Sequence, residues 1–274
     1  MQADELVRQV EEDRQHGASE LAFVALQGVT VVAHQWSGSR GYLLKRHMLK
    51  LLARLGEVRP SMIALQNLLN QLAARIKRLP ATDLRELQHE IAAAADAVVE
   101  NARLAQQHAA GGMADLISPG DVVMTYSVSS TMKLMFNLAE EKVGKVYVPE
   151  SRPGNEGALL AAYLSDLHLD VHYITEAQVN LFMPQCDKVI VGADAVLSQG
   201  DVVNKAGTSL LALSAHYHHV PFYVCAERFK NCRRRQLPLE AMDPVELGMS
   251  HEGVSVHNVY FDITPTALVT RRVS

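Results

Sequence analysis

The residues best able to do chemistry lie in three short stretches of the second half of the chain. The first is Tyr126-Ser127-Val128-Ser129-Ser130-Thr131, which follows an apolar run and precedes a helical pattern. Hydroxyls and free backbone N–H groups gather there at a helix N-terminus, where orphan amides and the helix dipole both favour an anion. Plain N-capping needs only one of those hydroxyls, so the stretch reads either as a phosphate cradle or as a cap. The second is Glu150-Ser151-Arg152-Pro153-Gly154-Asn155-Glu156-Gly157. An Arg directly after a strand can fork onto a phosphate or carboxylate. A turn shaped by Pro153 and Gly154, with a solvated Arg152, is the plainer alternative.

The third stretch joins Val191-Gly192-Ala193-Asp194 to Asp201-Val202-Val203-Asn204-Lys205-Ala206-Gly207-Thr208. Asp194 is expected at the carboxyl end of a central strand, where a carboxyl group with a raised pKa can serve as an acid or a base. Asn204 and Lys205 are expected to open the next helix, with the lysine placed to meet a phosphate or enediolate oxygen. A capping Asp194 and a solvated Lys205 are the alternatives.

Other features carry less. His216, His218 and His219 have no acidic or cysteine partner at metal-binding spacing, so no metal site is expected. Lys230 with Arg233, Arg234 and Arg235 reads first as a solvated loop and only second as a phosphate or partner contact. Cys186, Cys225 and Cys232 read as buried apolar thiols, with Cys225 notable for its place at a strand's carboxyl end. GxGxxG, P-loop and GxSxG motifs are missing, which removes support for dinucleotide, NTPase and α/β-hydrolase readings; no cofactor is expected.

Two kinds of periodicity position these stretches. Leu43, Leu44, Met48, Leu51 and Leu52 give one helix; Leu65, Leu68, Leu72, Ile76 and Leu79 give another; Leu84, Leu87, Ile91, Ala95 and Val98 give a third. Pro60 suits a first helical turn, Pro80 separates two helices, and Asp83 with Glu86 forms a capping pair. Gly111-Gly112 is expected to end this helical part, which occupies residues 1–115. From 116 to 274 short apolar runs alternate with helical stretches: Val122–Tyr126, Lys145–Val148, Val171–Thr175, Lys188–Val191 and Pro221–Cys225 as strands, Asn155–Leu167 as a helix. That alternation predicts a mostly parallel α/β sheet, whose ligands bind beyond the carboxyl ends of its strands. The residues expected there are Ser127 to Thr131, Glu150 to Glu156, Glu176, Gly192 to Asp194 and Ala226 to Arg228.

The chain has 274 residues, 48% of them hydrophobic and 20% charged, which suits one or two globular cores and excludes wholesale disorder. A formal net charge of −4 gives no global basic field, so direct nucleic-acid binding is not expected. No apolar run is long enough to span a membrane, and Met1 to Gly17 lacks the apolar core of a signal peptide. With an odd cysteine count of 3, this predicts a cytoplasmic protein.

Ser151-Arg152-Pro153, Asn155-Glu156-Gly157, Val191-Gly192-Ala193-Asp194-Ala195, Gly200 to Thr208 and Val220-Pro221-Phe222-Tyr223-Val224 together resemble one family closely. It comprises the alpha, beta and delta subunits of eukaryotic translation initiation factor 2B, ribose-1,5-bisphosphate isomerase and methylthioribose-1-phosphate isomerase. Gly17-Ala18-Ser19-Glu20, Arg59-Pro60-Ser61 and Phe261-Asp262-Ile263-Thr264-Pro265 extend the resemblance to both ends. It implies a helical N-terminal domain, a Rossmann-like C-terminal domain, a homodimer or higher homo-oligomer, and a phosphorylated sugar or related ligand between the domains. The substrate-binding residues it implies are Gly17, Ala18, Arg59, Ser129, Ser130, Arg152, Glu156, Asn204 and Lys205.

In the isomerases of this family a Cys after the first strand and an Asp in the Gly-Ala-Asp motif do the chemistry. The Asp carries over to Asp194. The Cys does not: Ser127 stands at its position, Tyr126 where the isomerases have His, and His16 where they have Arg before Gly-Ala. A thiol with a pKa near 8.5 exchanges a proton near neutrality, whereas a serine hydroxyl needs a neighbouring base. Loss of one acid–base group costs roughly 10²- to 10⁴-fold in rate. The expected function is therefore binding of a phosphorylated sugar with weak or no isomerase activity. The alternative is an active sugar-phosphate isomerase that uses Asp194 with Ser127, or with another group such as Cys225.

Overall fold

The computed structural model describes residues 1–13, 16–80, 83–239 and 241–274. They form two compact units, Met1–Ala105 and Gln106–Ser274. Among the described residues no helix is long and apolar enough to cross a membrane.

The first unit is helical: α1 (Ala3–Glu12), α2 (Ala18–His34), α3 (Gly41–Glu57), α4 (Ile63–Arg78) and most of α5 (Leu84–Ala114). The apolar series seen in the sequence are its buried faces, with Leu44, Met48, Leu51, Leu65, Leu68, Leu72, Ile76, Leu87 and Ile91 all in the core. Asp83 caps α5, accepting 2.9 Å from the Glu86 backbone N–H. Two expectations fail here. Pro60 sits in the turn before α4 rather than in its first turn, because Met62 is the N-cap. Gly111 and Gly112 lie inside α5, where the flanking Ala109, Ala110 and Met113 are buried and hold the helix through them.

The second unit alternates strands and helices: β1 (Asp121–Met124), α6 (Ser130–Leu138), β2 (Val143–Pro149), α7 (Glu156–Asp166), β3 (Val171–Ile174), α8 (Val179–Phe182), β4 (Lys188–Val191), β5 (Ala195–Val196), β6 (Val202–Lys205), α9 (Thr208–Tyr217), β7 (Phe222–Cys225), β8 (Phe261–Thr264) and β9 (Arg271–Val273). Six strands make one sheet in the order β3-β2-β1-β4-β7-β9, all pairs parallel. Period-2 alternation splits their side chains between two cores. Val123, Val146, Val148 and Ile190 pack with Met132, Met135 and Phe136 of α6 and Leu160 of α7. Met124, Val189, Val191 and Val224 pack on the opposite face with Leu211, Ala212 and Ala215 of α9.

Strand order reverses between β1 and β4, the switch point at which the carboxyl-end crevice of a parallel sheet opens. A second, three-stranded sheet, β5-β6-β8, is antiparallel and stands beside that crevice. It corrects the expected helix start at Asn204 and Lys205. Val202 to Lys205 pair with Phe261 to Thr264, and the helix begins only after Gly207.

Candidate functional site

The turn after β1 is held by the turn after β2. Ser127 has φ +62°, a left-handed backbone uncommon for a residue with a side chain. Its N–H donates 2.9 Å to Ser151 Oγ, and Ser151, itself left-handed and fully buried, donates 3.2 Å to the Pro149 carbonyl. The Ser127 hydroxyl donates to Glu156 Oε2. Glu156 is placed by the start of α7, where Gly157 packs on the end of β2. A Cβ at Gly157 would lie 2.0 Å from the Pro149 carbonyl oxygen, so only glycine lets α7 begin there.

The other oxygen of Glu156 lies 2.6 Å from Lys205 Nζ. Lys205 ends β6 and is 4% exposed, and its ammonium stands 4.1 Å from the ring centroid of Tyr260. Ion pair and cation–π contact together account for burying a lysine here. Asp194 is drawn to the same place by the bond from its backbone N–H to Val203 O at 2.9 Å, which ties the end of β4 to β6. Burial pushes the Asp194 carboxyl up to about 6; Lys230 and Lys205 pull it down, while Glu156 and Glu227 add to the rise.

The hydroxyls at the start of α6 turn to separate partners. Ser130 Oγ accepts 3.2 Å from Gln106 Nε2, and Thr131 Oγ1 donates to Glu227 Oε1. Ser129 is the N-cap, with no side-chain capping bond, and its carbonyl accepts from Lys133 N–H at 2.9 Å. Asn204 is buried and donates 3.0 Å to Thr208 Oγ1, which in turn donates 2.6 Å to the Lys205 carbonyl. The N-terminus of α9 is capped by Asp262, whose Oδ2 accepts from Gly207 N–H at 2.7 Å and Ser209 N–H at 3.1 Å.

Ser127, Glu156, Lys205 and Asp194 are thus brought together, with the N-cap Ser129 opening the adjoining helix. The Arg152 side chain is exposed and reaches 3.5 Å towards the Leu247 carbonyl, while its N–H donates 2.9 Å to Glu176. Gly17, Ala18 and Arg59 belong to the helical unit. There Gly17 is the N-cap of α2, Ala18 is its first residue, and Arg59 is buried and donates 2.9 Å to the Asp13 carbonyl. His16 Nδ1 lies 2.7 Å from Asp13.

Sequence reasoning missed the pair below the site. Lys230, expected in a solvated loop, is 4% exposed and lies 2.8 Å from Glu227, which is fully buried. Burial makes both charges costly alone, and each is the other's counter-ion. The spacing of three residues after a strand end was the available signal. Arg233, Arg234 and Arg235 are exposed, as a solvated loop requires. Cys225 is fully buried and its thiol is pushed up to about 12, so it offers no exchangeable proton near neutrality.

The Initiation factor 2 subunit family model matches residues 14–274. A relative from Pyrococcus furiosus named translation initiation factor eIF-2B subunit 2-like is 34% identical over 262 residues, covering 95% of this chain and 90% of its own. Ribose 1,5-bisphosphate isomerase of the same organism is 29% identical, covering 95% of this chain and 85% of its own. The crystal structure of the Pyrococcus horikoshii translation initiation factor eIF-2B superposes with a TM-score of 0.84 at 33% identity, over 99% of this chain and 94% of that one.

Proposed function

The chain belongs to the initiation factor 2 subunit family, and from that premise we propose that it binds a phosphorylated sugar, or a related phosphate ligand, at the strand-end cluster of its C-terminal unit, with weak or no isomerase activity. What supports this most is the run of contacts Ser127–Glu156–Lys205 beside Asp194, at the reversal of strand order. The ligand's phosphate meets Lys205 and the backbone N–H groups at the start of α6. Asp194, pushed up to about 6, suits proton exchange with a sugar oxygen or carbon near neutrality. Ser127 does not replace a thiol there, because its proton is directed into Glu156 and its hydroxyl is a far weaker acid. Cys225 is too deeply buried to take over. The homodimer implied by the family resemblance has an apolar face to use in Leu210, Leu213 and Tyr217, which are exposed along one side of α9; light scattering checks it.

Thermal melting with ribose 1,5-bisphosphate, methylthioribose 1-phosphate and nucleoside monophosphates tests the binding. The midpoint should rise with concentration as mass action requires, and Lys205→Met should weaken that rise in a folded protein. No rise with any of these at millimolar concentration overturns the proposal. The second reading, an active isomerase, is favoured by the shifted Asp194 itself; product formation by wild type that Asp194→Asn abolishes would establish it.

A further inference from the structure

The Glu227–Lys230 pair is built into the same strand ends as Asp194. Adjacent strands β4 and β7 pair Val191 with Val224, so Asp194 and Glu227, each three residues further on, leave the sheet as neighbours. Two carboxylates so placed oppose each other's ionisation unless a nearby cation offsets them. Lys230 is that cation. It is 4% exposed, 2.8 Å from Glu227 Oε2, and Asp194 is the second negative group that favours its charge. The remaining Glu227 oxygen is fixed by the hydroxyl of Thr131 in the first turn of α6. Glu227 is therefore locked between β7 and α6, and Lys230 is locked to Glu227.

The charged groups facing Asp194 come from three places. Lys205 ends β6, Glu156 opens α7, and Glu227 and Lys230 follow β7. Lys205 is shared with Glu156 and covered by Tyr260. Lys230 is buried and held by Glu227, which is itself fixed from α6.

We propose that Lys230 is a positioning residue for Asp194: its ammonium is the fixed buried counter-ion that keeps Asp194 a carboxylate while Lys205 is shared between Glu156 and a ligand. This rests on the reading of Asp194 as the working acid–base group, yet its electrostatic content is measurable without any ligand.

The test is a carboxyl ¹³C NMR titration of Asp194 in the full ligand-free chain, with the signal assigned by its loss in Asp194→Asn. In the double variant Glu227→Gln/Lys230→Met the pair is removed together, so neither of its members is left uncompensated and the effect read at Asp194 is that of losing Lys230 with Glu227. The Asp194 midpoint should rise by about one pH unit. In Glu227→Gln alone, Lys230 is left wholly to Asp194 and the midpoint should fall. An unchanged or lowered midpoint in the double variant overturns the proposal, as does an unchanged or raised one in Glu227→Gln. Failure of sugar phosphates to shift the melting midpoint would sink the ligand reading and leave these two titrations as they stand.

Discussion

Glu156 lies 2.6 Å from Lys205, and this contact closes the site on itself: a carboxylate from the first residue of α7 neutralises an ammonium from the last residue of β6. The lysine is 4% exposed and the Glu156 side chain 26% exposed, so the pair is largely withdrawn from solvent. Under the proposed binding, a ligand phosphate shares Lys205 with Glu156 rather than finding it free. Across the cluster three carboxylates, Glu156, Asp194 and Glu227, face two ammoniums, Lys205 and Lys230. Arrival of an anion favours proton uptake by Asp194, the carboxyl whose ionisation is already costly.

The coupling between Glu156 and Lys205 is measurable by a double-mutant cycle with Glu156→Gln and Lys205→Met. Denaturant unfolding of the four proteins should give a coupling of about 1–3 kcal/mol. A coupling indistinguishable from zero would mean that the pair is solvated and weak.

Asp194 makes stability depend on pH in a definite direction. Its folded pKa of about 6 lies above the ordinary 3.8, so the folded state holds a proton that the unfolded state has released between those values. Stability from this group is full below 3.8 and is lost as pH rises through about 6. Asp194→Asn removes that loss. Relative to wild type it should be near neutral at pH 4 and more stable by about 3 kcal/mol at pH 8. Melting curves across that range check the sign; a variant less stable than wild type at pH 8 contradicts it.

Lys230→Met leaves Glu227 as a buried charge with its counter-ion gone, and should cost about 3–5 kcal/mol in unfolding free energy. Glu227→Gln/Lys230→Met should cost clearly less, because the charges leave together. Equal costs would place the stabilising contact elsewhere.

Gly207 has φ +107°, and a Cβ there would lie 2.3 Å from the Tyr126 hydroxyl oxygen. That hydroxyl donates 2.7 Å to the Ala206 carbonyl and lies 3.1 Å from Glu176, and burial beside Glu176 holds it protonated. Gly207→Ala should lower stability by about 2 kcal/mol or more, from backbone strain and the displaced tyrosine. Near-UV circular dichroism with thermal melting detects both.

Much of this was legible in the residues. Lys188–Val191 is a strand with the bounds its apolar run predicts, and Val171–Thr175 and Pro221–Cys225 contain β3 and β7 within one residue. Dense Val and Ile in a doubly covered parallel strand leave little ambiguity. Asn204 and Lys205 misled because β6 pairs with β8, dozens of residues away, and nothing local marks a strand whose partner is so distant. Tyr260 and Asp262 reach the site by the same long connection, Tyr260 covering Lys205 and Asp262 capping α9. Lys230 misled because a basic run reads as solvent-facing, and its burial depends on Glu227, which the strand-end stretch included without singling out. The hydroxyls after β1 were rightly placed at a helix N-terminus, yet their partners, Glu156, Gln106 and Glu227, come from three other segments.

The proposed weak or absent turnover depends above all on Ser127 standing in place of a catalytic thiol. Ser127→Cys places a thiol at the N-terminus of α6, where the helix dipole and Lys205 favour the thiolate and Glu156 opposes it. The direct measurement is isomer formation and solvent-deuterium incorporation with ribose 1,5-bisphosphate, followed by NMR for wild type, Ser127→Cys and Ser127→Ala. Wild type should bind the sugar but turn it over slowly or not at all, with a rate about tenfold or more higher in Ser127→Cys. A wild type that is already fast, and loses little in Ser127→Ala, would contradict that expectation and establish an isomerase whose acid–base group lies elsewhere.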